Sequence, residues 1–133
     1  MHKTFVLFAS TLLFCSVAVS AQWGSGWTIP AGAEKEVNPV KADARVLKEA
    51  KSSFDSKCAK CHGPEGKGDG KESDPTSPAA DLSDSFRASL NPDGVIFHRI
   101  AGGKPPVMPA FKGEMSSEQM WGLVHYVKSL RKT

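Results

Sequence analysis

Cys58-Ala59-Lys60-Cys61-His62, followed at once by Gly63-Pro64-Glu65-Gly66-Lys67-Gly68-Asp69-Gly70, is the stretch on which the reading of the chain turns. Upstream, Leu47, Ala50, Phe54 and Cys58 recur at the three- and four-residue spacing of a helix with one apolar face. The pattern predicts a helix that opens at Asn38-Pro39, with Asn as cap and Pro in the first turn, and runs to Lys57. Downstream, the glycines and then Pro75 and Pro78 predict a long loop. Loops of that length inside a compact domain are usually functional or wrapped around something.

Farther out, Ser83 to Ser89 reads as a short helix, and Asn91-Pro92 opens another through Ile100. Ile96, Phe97, Ile100 and Ala101 share one side of it, and Gly102-Gly103 ends it. Lys104-Pro105-Pro106-Val107-Met108-Pro109 carries three prolines, which predict an extended backbone. A last helix has a capping box, Ser116 with Gln119, and an apolar stripe of Met120, Leu123, Val124, Val127 and Leu130. There is no alternating strand pattern, internal repeat or phosphate-cradling glycine motif. The expected class is all-α, with about four helices and long loops over residues 38–133. An irregular arm, residues 22–37, precedes it, and Trp23 and Trp27 read as anchors that dock it.

The 133 residues allow one domain and exclude a TIM barrel or a full dinucleotide-binding enzyme. A net charge of +3, with no Lys/Arg block, argues against a nucleic-acid partner. Met1-His2-Lys3-Thr4, an apolar run, and Val19 and Ala21 as small residues make residues 1–21 a signal peptide cut after Ala21. The apolar run falls short of the about 20 residues a span needs, so no membrane span is expected after cleavage; uncleaved, the segment is an anchor. A lipoprotein cut before Cys15 is disfavoured by the bulky Phe14. Cleavage removes Cys15 and leaves Cys58 and Cys61 in an exported, periplasmic and oxidising setting.

There, C-x-x-C-H reads as a covalent haem attachment site. Two thiols at i and i+3 lie on one face of a turn and can add to the two vinyl groups of a haem. His62, next to the second thiol, is then held under the iron. Three other readings compete. A thioredoxin-like redox pair needs a βαβ setting that the pattern lacks. Zinc needs four ligands; His98 and His125 are available, but adjacent Cys61 and His62 do not match zinc spacing. A plain disulfide between Cys58 and Cys61 is the simplest alternative. For the second iron ligand Met108 is the candidate, a thioether held between Val107 and Pro109; His98 is its competitor. Met120 reads as core filler, Met115 as near-surface and His125 as surface or interhelical.

From Val40 to Arg131 these features resemble the class I cytochromes c, the mono-haem, mitochondrial-like fold. A helix ending in C-x-x-C-H, the glycine-rich loop after it, Met108-Pro109-Ala110-Phe111, and an aromatic-containing terminal helix carry the resemblance. It implies one covalent haem c on Cys58 and Cys61, His62 as proximal and Met108 as distal iron ligand. It also implies that Phe54 sits where the first and last helices cross. Ala50 stands where the family often has glycine, which predicts a slightly wider crossing. The arm from Gln22 to Val37 has no counterpart in the minimal family fold.

Leu82, Ile96, Phe97, Ile100, Val107, Phe111, Leu123 and Val127 are then the expected haem wall, and the haem supplies core that a short chain lacks. Lys57, Lys60, Lys104 and Lys112 offer a positive ring for partners, opposed by Glu65, Asp69, Glu72 and Asp74. The expected function is a soluble carrier of single electrons between an unidentified redox donor and acceptor, not an enzyme by itself. A haem subunit held permanently in a larger oxidoreductase, with Trp23–Pro30 as contact, is the alternative. A haem sensor or peroxidase-like protein, with Met108 off the iron, is the third.

Overall fold

The structure, a computed structural model, describes residues 26–131; the expected signal segment 1–21, Cys15 and Trp23 lie outside them. The described residues form five α-helices: α1 (Ala44–Lys57), α2 (Ala59–His62), α3 (Ser85–Ser89), α4 (Asp93–Gly102) and α5 (Ser117–Ser129). Among them pairing is limited to two isolated bridges, Asp74 with Ser77 and Lys104 with Met108. The class is all-α, with one helix more than expected because Cys58 to His62 form a helical turn of their own.

α1 begins later than its sequence suggests. Asp43, not Asn38, caps it, its carboxylate accepting the Val46 N–H at 2.8 Å. Asn38 instead donates through Nδ2 to the Trp121 carbonyl at 2.9 Å and accepts the Val40 N–H. A long-range bond to α5 thus claims the side chain that a local cap would use. At the other end of the chain the capping box forms as read: Ser116 accepts from Gln119 N–H, and Gln119 accepts from Ser116 N–H.

α1 packs across α5. Phe54, Leu123 and Val124 are almost wholly shut from water, and Phe54 lies against Tyr126 with ring centroids 5.2 Å apart. Burying such side chains stabilises by roughly 1.5–3 kcal/mol each. Gly122 on α5 faces Val46 and Ala50 on α1; a Cβ there would meet Val46 Cγ1 at 3.4 Å. The close approach expected of a glycine at position 50 is therefore supplied from the opposite helix. α4 packs on α5 through Phe97, which stacks on Trp121 at 4.2 Å and 14°.

Three local expectations are corrected. Lys104–Pro109 is not extended: Lys104 and Met108 exchange N–H···O bonds at 2.8 and 3.0 Å, and Val107 N–H donates to Lys104, closing a tight turn. The Pro105–Pro106 peptide is cis. Met115 is buried rather than near-surface, its N–H bonded to the Phe111 carbonyl and its side chain in the core cluster. The helices flagged at 83 and 91 start at Ser85 and Asp93, after Asp84 and Pro92.

The segment before α1 is docked. Ala33, in a 3-10 turn (Ala33–Lys35), is fully buried against α4, so close that a Cβ on Gly94 would meet its carbonyl oxygen at 2.1 Å. Trp27 lies under Arg99, whose guanidinium carbon is 5.3 Å from the ring centroid, with Lys104 at 6.0 Å.

Candidate functional site

The last turn of α1 delivers Cys58, whose carbonyl accepts from Cys61 and His62 N–H at 3.1 and 2.9 Å. That winds α2 and sets both thiols and the imidazole on one short turn. The loop then folds back on the turn: Gly68 N–H donates to His62, Gly70 N–H to Cys61 and Glu72 N–H to Lys60. Several positions of this loop accept only glycine. Gly63 ends α2 at φ 76°, and a Cβ on Gly70 would lie 2.4 Å from the Lys60 carbonyl oxygen.

Among the described residues the two cysteines are free thiols. Burial pushes the Cys58 thiol up to about 11, opposed by the charge of Lys57. Cys61 Sγ lies 3.5 Å from the Glu72 carbonyl. Among the described residues no group of three His, Cys, Asp or Glu side chains converges as a metal cage, which leaves zinc without a ligand set.

His62 is half-buried, and burial holds its pKa below the ordinary histidine value, against the pull of its bond to Ala80. Nδ1 lies 3.0 Å from the Ala80 carbonyl. A carbonyl only accepts, so the ring proton sits on Nδ1 and Nε2 keeps its lone pair. This is the support that metal-binding histidines use to fix ring and tautomer.

Met108 is half-buried and packs on the same core cluster as Cys58 and Ala59. The other histidines among the described residues are committed elsewhere. His98 Nε2 is 2.9 Å from Glu36 Oε1, and His125 Nε2 is 2.6 Å from the Val40 carbonyl. Of the expected apolar wall, Ile96, Ile100, Phe111 and Leu123 are buried, and Leu82, Phe97 and Val127 pack against them. Val107 is the exception, 44% exposed, because it sits in the turn that the two Lys104–Met108 bonds close.

Sequence reasoning missed Trp121, which stacks on Phe97, and two arginines, Arg99 and Arg131, whose Nε atoms are buried without an acceptor. The spacing of Trp121 to Val124 was a usable signal for the first. Nothing local marks the arginines. The lysine ring is partly neutralised. Lys57 pairs with Glu114 at 2.9 Å and Lys60 with Glu72 at 3.2 Å, while Lys104 faces Trp27 and Lys112 is exposed.

This donor set fits a haem c. Two thiols stand on one turn, a neutral imidazole presents a free Nε2, and a thioether and an apolar wall belong to one core. Two buried guanidinium N–H groups have no acceptor. The cytochrome c family model matches residues 47–131, most of the described fold. Among solved structures, one chain of the Kuenenia stuttgartiensis reducing HAO-like protein complex Kustc0457/Kustc0458 is 31% identical with a TM-score of 0.58. The match covers 71% of this chain and 47% of that one, so the chain spans about half the length of that relative. The KustC0563 c-type cytochrome, 23% identical with a TM-score of 0.52, shares the fold over 62% of this chain and 98% of its own. No curated protein matches. With the motif turn, its supporting loop and the terminal helices all inside the matched residues, the chain belongs to the cytochrome c family, whose members carry covalent haem c and transfer electrons.

Proposed function

We propose that the chain carries one haem c, attached through Cys58 and Cys61 and ligated by His62 and Met108, and passes single electrons between periplasmic redox proteins. The observation that carries this reading is the Nδ1–H of His62 bonded to Ala80, which leaves Nε2 as the basic nitrogen. Bound haem supplies a one-electron couple, and a His/Met pair raises its potential relative to two histidines. The residues do the rest. Gly63 and Gly70 let the loop close on the motif turn, and Ala80 fixes the imidazole. The Lys104–Met108 turn holds the thioether, and the apolar wall excludes water. With His62 and Met108 both holding the iron, no open metal site would be left for a small substrate, and the chain would act as a carrier and not alone as an enzyme. Removal of residues 1–21 frees it from the membrane; among the described residues no helix is long and apolar enough to cross one.

A second reading, a haem subunit held in a larger oxidoreductase, is favoured by the likeness to a chain of a multi-subunit complex. Stable, stoichiometric co-purification separates it from a free carrier.

Visible spectra of the oxidised and reduced protein, expressed with a haem-maturation system, test the main reading. The expected result is a sharp reduced α-band, colour that survives acid–acetone extraction, and a weak far-red band in the oxidised form that disappears in Met108→Ala. A folded, colourless protein overturns the reading. An unchanged far-red band in Met108→Ala overturns the assignment of that ligand.

A further inference from the structure

The arm, residues 26–36, runs along α4 in the opposite direction and is fastened at both ends. At the N-terminal end of α4, Ala33 is fully buried, and a Cβ on Gly94 would meet the Ala33 carbonyl oxygen at 2.1 Å and Glu36 Cβ at 2.6 Å. One turn on, Glu36 Oε1 lies 2.9 Å from His98 Nε2. At the other end Trp27 meets the Arg99 guanidinium, and its ring centroid is 6.0 Å from Lys104 Nζ, just beyond the helix. Gly26 comes closer still: a Cβ there would lie 2.7 Å from Lys104 Cε. The lysine stem is thus laid against the arm with its ammonium over the indole.

Lys104 is also the first residue of the turn that carries Met108. The two residues exchange N–H···O bonds at 2.8 and 3.0 Å, so a shift of Lys104 is passed to Met108. At its base the turn is tied to α4. A Cβ on Gly103 would meet the Pro109 carbonyl oxygen at 2.4 Å, and the N–H groups of Phe111 and Lys112 donate to the Ile100 and Ala101 carbonyls at 3.1 and 3.2 Å. At its tip Pro105, Pro106 and Val107 are exposed. The half-buried Met108 side chain is the turn's inward contact, and the Lys104 side chain is its tie to the arm.

We propose that Trp27 is a positioning residue for Met108: docked on α4 with the rest of the arm, it holds Lys104, and through Lys104 the turn, where the thioether can reach the iron. This rests on the ligation by His62 and Met108 proposed above and adds what keeps the weaker ligand in place. A thioether is uncharged and soft, so its hold depends on how firmly the chain presents it. Contacts made only when the turn is in place favour that state over one in which the turn swings out and a small external ligand takes the position.

The test is titration of the oxidised, haem-loaded protein with imidazole, read as loss of the far-red band. Trp27→Ala removes the ring that faces Lys104. Gly94→Ala pushes the arm away from its other end, because the new Cβ would overlap the Ala33 carbonyl oxygen, while alanine suits helix α4 better than glycine does. Each variant is expected to bind imidazole about two- to fivefold more tightly than wild type, the factor to which one exposed cation–π contact corresponds. Trp27→Phe keeps an aromatic face and is expected to restore most of the wild-type value. Val46→Ala, which trims a buried side chain where α1 meets Gly122 of α5, is expected to leave the affinity unchanged and so separates positioning from general loosening. An affinity unmoved in either Trp27→Ala or Gly94→Ala overturns the proposal and leaves the Met108 ligation standing. An equal gain in Val46→Ala also overturns it. A wild type without the far-red band, or a band that survives Met108→Ala, overturns the underlying ligation and this proposal with it, and is seen before any arm variant is made.

Discussion

At the crossing of α1 and α5, Phe54, Leu123 and Val124 are packed by protein on every side, and Gly122 lets the two backbones close. At the C-terminal end of α5 a cleft holds Arg99 and Arg131 with donors unmatched, and nearby Phe86 and Leu90 on and after α3 are 73% and 66% exposed. The crossing is closed by the chain's own side chains, whereas the cleft leaves both guanidinium Nε atoms without an acceptor among the described residues. Changes at the crossing ought therefore to move unfolding most, because the chain's own packing is complete there.

The largest effect is expected from Phe54→Ala, which removes a fully buried ring at the crossing and costs roughly 3–5 kcal/mol. Denaturant unfolding of the haem-loaded protein measures it, and an unchanged unfolding midpoint would show that the crossing does not rest on this ring. Gly122→Val comes next. Its Cβ would already meet Val46 at 3.4 Å, and the added methyls overpack the crossing at a cost of about 1–3 kcal/mol. A neutral or stabilising Gly122→Val would show that α1 can move away, and the glycine would not be the reason for the close approach.

Ser116→Ala removes one half of the α5 capping box and is expected to cost about 1 kcal/mol, read in the same unfolding assay. The smallest effect concerns acid. The Val46 N–H, with help from Arg45 and Lys41, holds the Asp43 carboxyl below the ordinary aspartate value of 3.8. A folded-state pKa below the unfolded one stabilises above the unfolded value and loses that stability as pH falls through the folded one. Asp43→Asn keeps a good cap without the titrating group. Its helix signal should therefore survive slightly further into acid than wild type below pH 3.8. Identical acid curves would mean that Asp74 and Asp81, also lowered by local hydrogen bonds, dominate the transition.

What the sequence made legible is what local periodicity and chemistry encode. The apolar stripe of α5, its capping box and the C-x-x-C-H turn all depend on residues within a few positions of one another. The misreadings share the opposite property. Asn38 looks like a cap until Trp121, far along the chain, takes its amide. Met115 looks exposed in its polar neighbourhood, yet the Phe111 turn carries it inward. The prolines of 104–109 forbid helix, and that was read correctly; whether they extend or turn depends on the Lys104–Met108 pairing. Arg99 and Arg131 fall in the same class, since each is an ordinary basic residue until α4 and the end of α5 are brought to one cleft.

The pairing of α1 with α5 also fixes an order of events. α1 and the motif turn leave the ribosome before α5, the partner that buries Phe54. The most extensive helix contact thus has nearly the longest loop to close, and a fold dominated by such distant contacts assembles late rather than progressively. Throughout that interval Cys58, sheltered in the finished fold, ends a helix that has no partner to close against. The topology thus leaves the motif turn uncovered until α5 docks.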